Sequence, residues 1–169
     1  MADDSFKAEF LQTHNELRAK HGVPALTMSD ALCKSAQAWA DHLKSTNKNS
    51  SKINLQHSKT KNGENLYFSS SSATVKLTGK EAVEIWYREI KDYDFSKPGF
   101  GFNTGHFTQV VWKSSTEVGV GIAMVENAVF VIGQYSPAGN IATDDHFEKN
   151  VLPAGGWFSR LCCRLKLSK

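Results

Sequence analysis

The apolar residues of this chain change their period once along its length, and that change restricts the fold more than any other feature. In the first part they recur at helical spacing. Phe6, Phe10, Leu11, His14 and Leu17 line one side of a segment from Ser5 to Lys20, and Asp3 and Asp4 stand where a helix N-terminus favours acids. His21-Gly22-Val23-Pro24 predicts its end. Ser29 is placed to cap a second helix whose face carries Leu32, Ala36, Trp39, Ala40 and Leu43. Thr78-Gly79-Lys80-Glu81 has the form of a capping box and opens a third, with Val83, Trp86, Tyr87 and Ile90 on one side. After the turn Lys97-Pro98-Gly99 come short apolar runs rich in Val and aromatics: Phe107 to Trp112, Val118 to Val125 and Ala128 to Tyr135. These predict strands, the last two joined through Glu126-Asn127. Residues 45–52 read as a polar loop, and the stretch up to about Thr78, with its serine run Ser69 to Ser72, as mostly loop. Helices that precede strands instead of alternating with them predict an α+β fold, an antiparallel sheet covered by helices.

Charge divides the chain in another way. The formal net charge is +3, but residues 1–153 hold 16 basic against 17 acidic side chains, and residues 154–169 add Arg160, Arg164, Lys166 and Lys169 with no acid. A near-neutral body lacks the basic face that nucleic acid demands. The N-terminus Met1-Ala2-Asp3-Asp4 has neither a basic nor an apolar leader segment, and Ala2 stands where N-myristoylation needs glycine. Three cysteines, two of them adjacent, make a poor disulfide framework. The expectation is a cytoplasmic protein, not a secreted one. In the tail, Trp157, Phe158, Leu161, Cys162 and Leu165 project onto one helical face with Arg160, Arg164 and Lys166 on its flanks. That pattern suits an anionic lipid interface, with Cys162 and Cys163 as candidate palmitoylation sites.

Four residues suit chemistry. His57 and His106 stand in loop or strand-entry contexts, Glu64 lies in Gly63-Glu64-Asn65-Leu66, and Glu89 falls three residues after Trp86, near an apolar face. Imidazole and carboxylate fit a divalent cation such as zinc, or a mutually stabilised acid–base cluster. No compact metal motif joins them, so on spacing alone the reading as ordinary satisfied polar residues outweighs the metal site. No G-x-S-x-G elbow surrounds the serine run. Cys33 reads as a small buried hydrophobe, and His14 and His21 as packing or capping groups.

Together the motifs resemble a known family. Gly105-His106-Phe107-Thr108-Gln109-Val110-Val111-Trp112 and Phe130 to Ile141 are similar to the two signatures of the CAP superfamily of cysteine-rich secretory, antigen 5 and pathogenesis-related proteins. His14 to Arg18 and Gly63 to Leu66 resemble its two shorter motifs. Trp86 to Lys91, Pro98-Gly99-Phe100 and Glu148 to Pro153 resemble its Golgi-associated branch. Gly133 replaces the cysteine usual in the second signature. The resemblance implies a CAP domain over residues 1–153, a three-layer α-β-α sandwich with a central antiparallel sheet, followed by the basic tail, residues 154–169. It implies that His57, Glu64, Glu89 and His106 form a cleft tetrad able to hold a divalent metal, zinc first. Asn15, Arg18, Tyr135 and Asn140 would be structural. It favours a binding module on the cytosolic face of Golgi, endomembrane or plasma membrane, with anionic lipids and protein partners and with dimerisation a candidate. A hydrolase is the alternative, metal-dependent with Glu64 or Glu89 as base, or using a serine of Ser69 to Ser72 with His57.

Overall fold

The computed structural model describes residues 1–48, 52–71, 76–125, 127–143 and 145–155. Ser72 and the tail positions expected at a membrane, Cys162 and Cys163 included, lie outside the described residues.

Helix α1 (Asp4–Lys20) is capped by Asp3, whose carboxylate accepts the Phe6 N–H at 2.8 Å, and it stops at His21, followed by Gly22 in the left-handed region at φ +64°. Strand β1 (Thr27–Met28) precedes α2 (Asp30–Asn47), which Ser29 caps. Strand β2 (Gly63–Ser70) follows, then α3 (Gly79–Tyr87) with the Thr78–Glu81 capping box formed in both directions. A 3-10 turn (Arg88–Asp92) leads on to α4 (Gly105–Val110), the hairpin β3 (Glu117–Val125) and β4 (Ala128–Ser136), and the short α5 (His146–Asn150).

The sheet runs in the order β1-β3-β4-β2. Strand β4 pairs antiparallel with β3 on one side and with β2 on the other, but β1 pairs parallel with β3. The sheet is therefore mixed rather than wholly antiparallel. Two residues carry no readable period, and β1 is placed mainly by backbone bonds, Thr27 N–H to Thr116 O at 3.0 Å and Ser29 N–H to Val118 O at 2.9 Å. Two further expectations are corrected. The run Phe107 to Trp112 is not a strand but contains α4. All of Phe107, Thr108, Gln109 and Val110 are buried, so no polar face marks the helical period. The stretch before Thr78 is not mostly loop. Eight of its residues form edge strand β2, and Ser69 and Ser70 end that strand instead of standing in a solvated linker.

Two apolar faces make the sandwich. Ala36, Ala40 and Leu43 of α2 pack on Ala123, Phe130 and Ile132. The close approach depends on β3, where a Cβ on Gly119 would stand 2.3 Å from the Cys33 backbone and one on Gly121 2.4 Å from that of Ala36. On the other face Phe6, Phe10 and Leu17 of α1 and Val83 and Trp86 of α3 cover Val118, Val120, Val129 and Val131. Gly133 lies beneath Trp86 there, with only 3.1 Å between its ideal Cβ position and the indole. Arg18 fastens α1 to the chain after α4. Its guanidinium, fully buried, donates to the carbonyls of Pro24 (2.8 Å), Val110 (3.0 Å), Trp112 (2.9 Å) and Ser115 (3.0 Å). Burial lowers its pKa to about 10, which leaves it charged at neutral pH.

Candidate functional site

Strand β2 is an edge, and successive side chains leave opposite faces of it. Glu64, paired with Gln134 of β4, lies on the α2 side, and Asn65, paired with Gly133, on the side of α1 and α3. The edge thus gathers groups from both helical layers.

On the α2 side, His57 Nδ1–H donates to Glu64 Oε1 at 2.9 Å. The same carboxylate accepts the Ser58 N–H (2.9 Å), the Ser58 hydroxyl and the Gln134 amide (3.1 Å). The Glu64 side chain is 5% exposed and His57 62% exposed, so the acid is buried and the base stands in solvent. On the other side the turn after α3 carries Glu89, and the first turn of α4 carries His106. His106 Nδ1–H donates to Glu89 Oε1 at 2.7 Å, and the N–H groups of His106 and Phe107 donate to Oε2 at 2.9 and 3.1 Å. Asn140, at φ +56°, pins the start of α4 by donating to the Gly105 carbonyl at 2.8 Å. Asn65 joins the two halves: its amide donates to His106 O (3.0 Å) and to the Tyr135 hydroxyl (3.3 Å).

The predicted tetrad therefore stands as two imidazole–carboxylate pairs flanking the start of β2. Burial would raise the pKa of Glu64, but bonds from His57, Ser58 and Gln134 outweigh it and hold the carboxyl below its usual range. Glu89 is lowered in the same way, burial being outweighed by His106 and two backbone N–H groups. The hydrogen bond to Glu64 raises His57. In both pairs Nδ1 is committed as N–H donor, which leaves the Nε2 lone pair as the free coordinating position. Among the described residues no three His, Cys, Asp or Glu converge as a metal-holding group. A nucleophile–base arrangement is also missing there. Ser58 gives its proton to Glu64 and not to an imidazole. Ser69 and Ser70 face Val129 and Ala128, about 16 Å along the strand from the Glu64–Gln134 pair.

Sequence reasoning passed over Ser58 and Gln134, which complete the shell of Glu64, and read His14 as a packing or capping group. Gln134 carried a signal: alternation places it on the face of Phe130 and Ile132, and a fully buried amide there needs a partner. His14 Nδ1–H donates to Phe10 O at 2.8 Å, and its Nε2 accepts from Tyr135 at 2.8 Å. His14, Tyr135 and Asn65 thus connect α1 to the backbone of His106.

An α-β-α sandwich with carboxylate-held imidazoles at its sheet edge is a recognisable class of domain. The sequence profile of the CAP or cysteine-rich secretory protein family matches residues 11–135, and the chain belongs to that family. It is 43% identical over 153 residues, 90% of this chain and 96% of the other, to Golgi-associated plant pathogenesis-related protein 1 of Homo sapiens. It is 40% identical over 160 residues to the Repressed by EFG1 protein 1 of Candida albicans, spanning 90% of this chain but 55% of that longer protein. Among solved structures the fold is shared with NaASP2 crystallised with Zn2+, at TM-score 0.68 and 20% identity over 90% of this chain and 87% of that one.

Proposed function

We propose that this chain is a CAP-family binding module stationed on the cytosolic face of endomembranes, the Golgi among them, where it engages anionic lipids and protein partners. The observation that carries this reading is the 43% identity, across nearly the whole of both chains, to a relative named for its Golgi association. No helix among the described residues is long and apolar enough to cross a membrane, so attachment in this reading falls to the basic tail with Cys162 and Cys163. A homodimer is the oligomeric state to examine.

In the same reading the cleft takes a divalent metal, zinc first. The donor chemistry fits a site in which His57 and His106 present Nε2 while Glu64 and Glu89 orient the rings. The structure of NaASP2 with Zn2+ offers a precedent within the fold. Zinc would supply a Lewis-acid centre. Binding is favoured over hydrolysis because Glu64 and Glu89 are both spent on holding an imidazole and neighbouring N–H groups, an orienting role in the metal reading.

Zinc titration of the wild type against His57→Ala and His106→Ala, run beside a peptidase and esterase panel, tests the cleft. The expected result is affinity weakened at least about tenfold in either variant, with no turnover. Turnover by the wild type that disappears in both variants would establish the hydrolase instead. Pelleting on phosphatidylserine vesicles tests the membrane part. An Arg160→Glu, Arg164→Glu protein that pellets as well as the wild type refutes the role of the tail.

A further inference from the structure

From His42 to Gly63 the chain carries five lysines, Lys44, Lys48, Lys52, Lys59 and Lys61, and not one acid, within a body whose charges otherwise nearly balance. Lys44 is in the last turn of α2 and Lys48 just beyond it, where the macrodipole favours cations. That explanation does not reach Lys59 and Lys61, which stand in the approach to β2.

The segment folds back onto α2. Asn47 bonds both the N–H and the carbonyl of Asn54, and Trp39 Nε1–H donates to Gln56 O at 3.0 Å. The return leaves a groove of ≈ 430 Å³ between α2 and residues 58–60. Its wall includes Ser35, Trp39, His42, Lys59 and Thr60. The His42 ring stacks on Trp39 with centroids 4.6 Å apart, which fixes its orientation. Among the described residues the His42 ring nitrogens have no hydrogen-bond partner, Lys59 forms no ion pair, and Thr60 Oγ1 accepts the Asn62 N–H without donating its own proton. Three donor groups thus face one groove. No carboxylate lines it. Glu64 lies behind Ser58 and Gln134, both of which donate to it, and Asp41 is on the other flank of α2, bonded to Gln37.

We propose that this groove binds a phosphate monoester, with Lys59 as the charge, Thr60 and His42 as hydrogen-bond donors, and the surrounding lysines drawing the anion in. A compact dianion with several acceptor oxygens matches convergent unspent donors of this kind better than a neutral ligand does. The groove shares Ser58 and Gln134 with the shell of Glu64, but the three groups proposed to hold the anion, His42, Lys59 and Thr60, are not among the imidazoles and carboxylates of the metal reading, so variants at these positions test the two readings separately.

The full-length chain is titrated with inositol trisphosphate, followed by backbone amide NMR, and separately with phosphatidylcholine vesicles with and without phosphatidylinositol phosphate. The expected result is shifts concentrated at residues 35–42 and 58–61. In His42→Gln, Lys59→Glu, affinity should fall about tenfold or more, and Lys59→Arg should retain it. Both side chains are exposed, so unchanged thermal melting shows that the fold is intact. Binding to the soluble phosphate alone identifies a free metabolite as the source, and binding to the vesicles alone a lipid headgroup. Wild-type affinity in the double variant, or shifts confined to other surfaces, overturns the proposal.

Discussion

The buried layer around α1 contains His14 and His21, the edge of β2 is flanked by His57 and His106, and the two regions use their histidines in opposite ways. In the interior both ring nitrogens are spent. His14 donates to Phe10 O and accepts from Tyr135, and His21 donates to Leu152 O at 2.5 Å and accepts from Tyr87 at 2.9 Å. Both are almost wholly buried, and burial lowers both pKa values, that of His14 to about 3. At the sheet edge only Nδ1 is used, its partner is a carboxylate, and His57 is shifted upward by Glu64. A histidine satisfied at both nitrogens locks packing. One oriented from a single side keeps its Nε2 free for an outside ligand.

The largest expected effect lies in the interior. Arg18→Met fills much of the volume but leaves the buried carbonyls of Val110 and Ser115 without their donor, while the Trp112 carbonyl keeps the Ser115 N–H at 3.2 Å and the exposed Pro24 can turn to water. Each orphaned group costs about 1–3 kcal/mol, so a loss of about 2–6 kcal/mol is expected in urea unfolding. A loss under about 1 kcal/mol would show that the carbonyls find other partners and that α1 is held mainly by apolar contacts.

His14 comes next and separates the regions by pH. Burial lowers its folded pKa to about 3 from the ordinary 6.5 of a histidine, so between these values the unfolded chain binds more protons and stability falls with acidification. The contribution is whole above about pH 6.5 and declines toward pH 3, costing on the order of 2 kcal/mol by about pH 5. His14→Gln retains hydrogen-bonding capacity but takes up no proton. It should lose stability at neutral pH and show a shallower acid slope. An acid slope equal to that of the wild type would place the responsible titration elsewhere.

Legibility followed the same division. The helices α1, α2 and α3 could be read because each shows an apolar stripe and a cap, and the β3–β4 hairpin because its apolar residues are continuous. Strand β2 was hidden because an edge strand half-covered on both faces mixes Glu64, Asn65 and serines with Leu66 and Phe68. Helix α4 was hidden because burial on every side erases the period. At the sheet edge the residue types of His57, Glu64, Glu89 and His106 drew notice, yet their pairing depends on separations of 7 and 17 residues that no local motif spans. The family resemblance, not spacing, brought these four together. Ser58 and Gln134 escaped both routes, being ordinary polar residues whose role appears only when β2 lies beside β4.

The smallest effect is expected where the comparison is sharpest. His57→Ala removes an exposed imidazole, while Glu64 keeps the Ser58 N–H, the Ser58 hydroxyl and the Gln134 amide. Screening by solvent limits the pair to about 0.5 kcal/mol or less. The sign of its pH dependence is fixed by the two shifts. The share from His57, whose folded pKa is raised, is present below its unfolded value and is lost as pH rises through the folded one. The share from Glu64, whose folded pKa is lowered, is present above its unfolded value and is lost as pH falls through the folded one. Stability of the wild type minus that of His57→Ala should therefore be a shallow plateau between the unfolded pKa values of Glu64 and His57, falling away toward the folded value on either side, read by thermal melting across the pH range. A difference above about 2 kcal/mol would mean that His57 holds the edge of β2 together, and that the two pairs of histidines share one structural role after all.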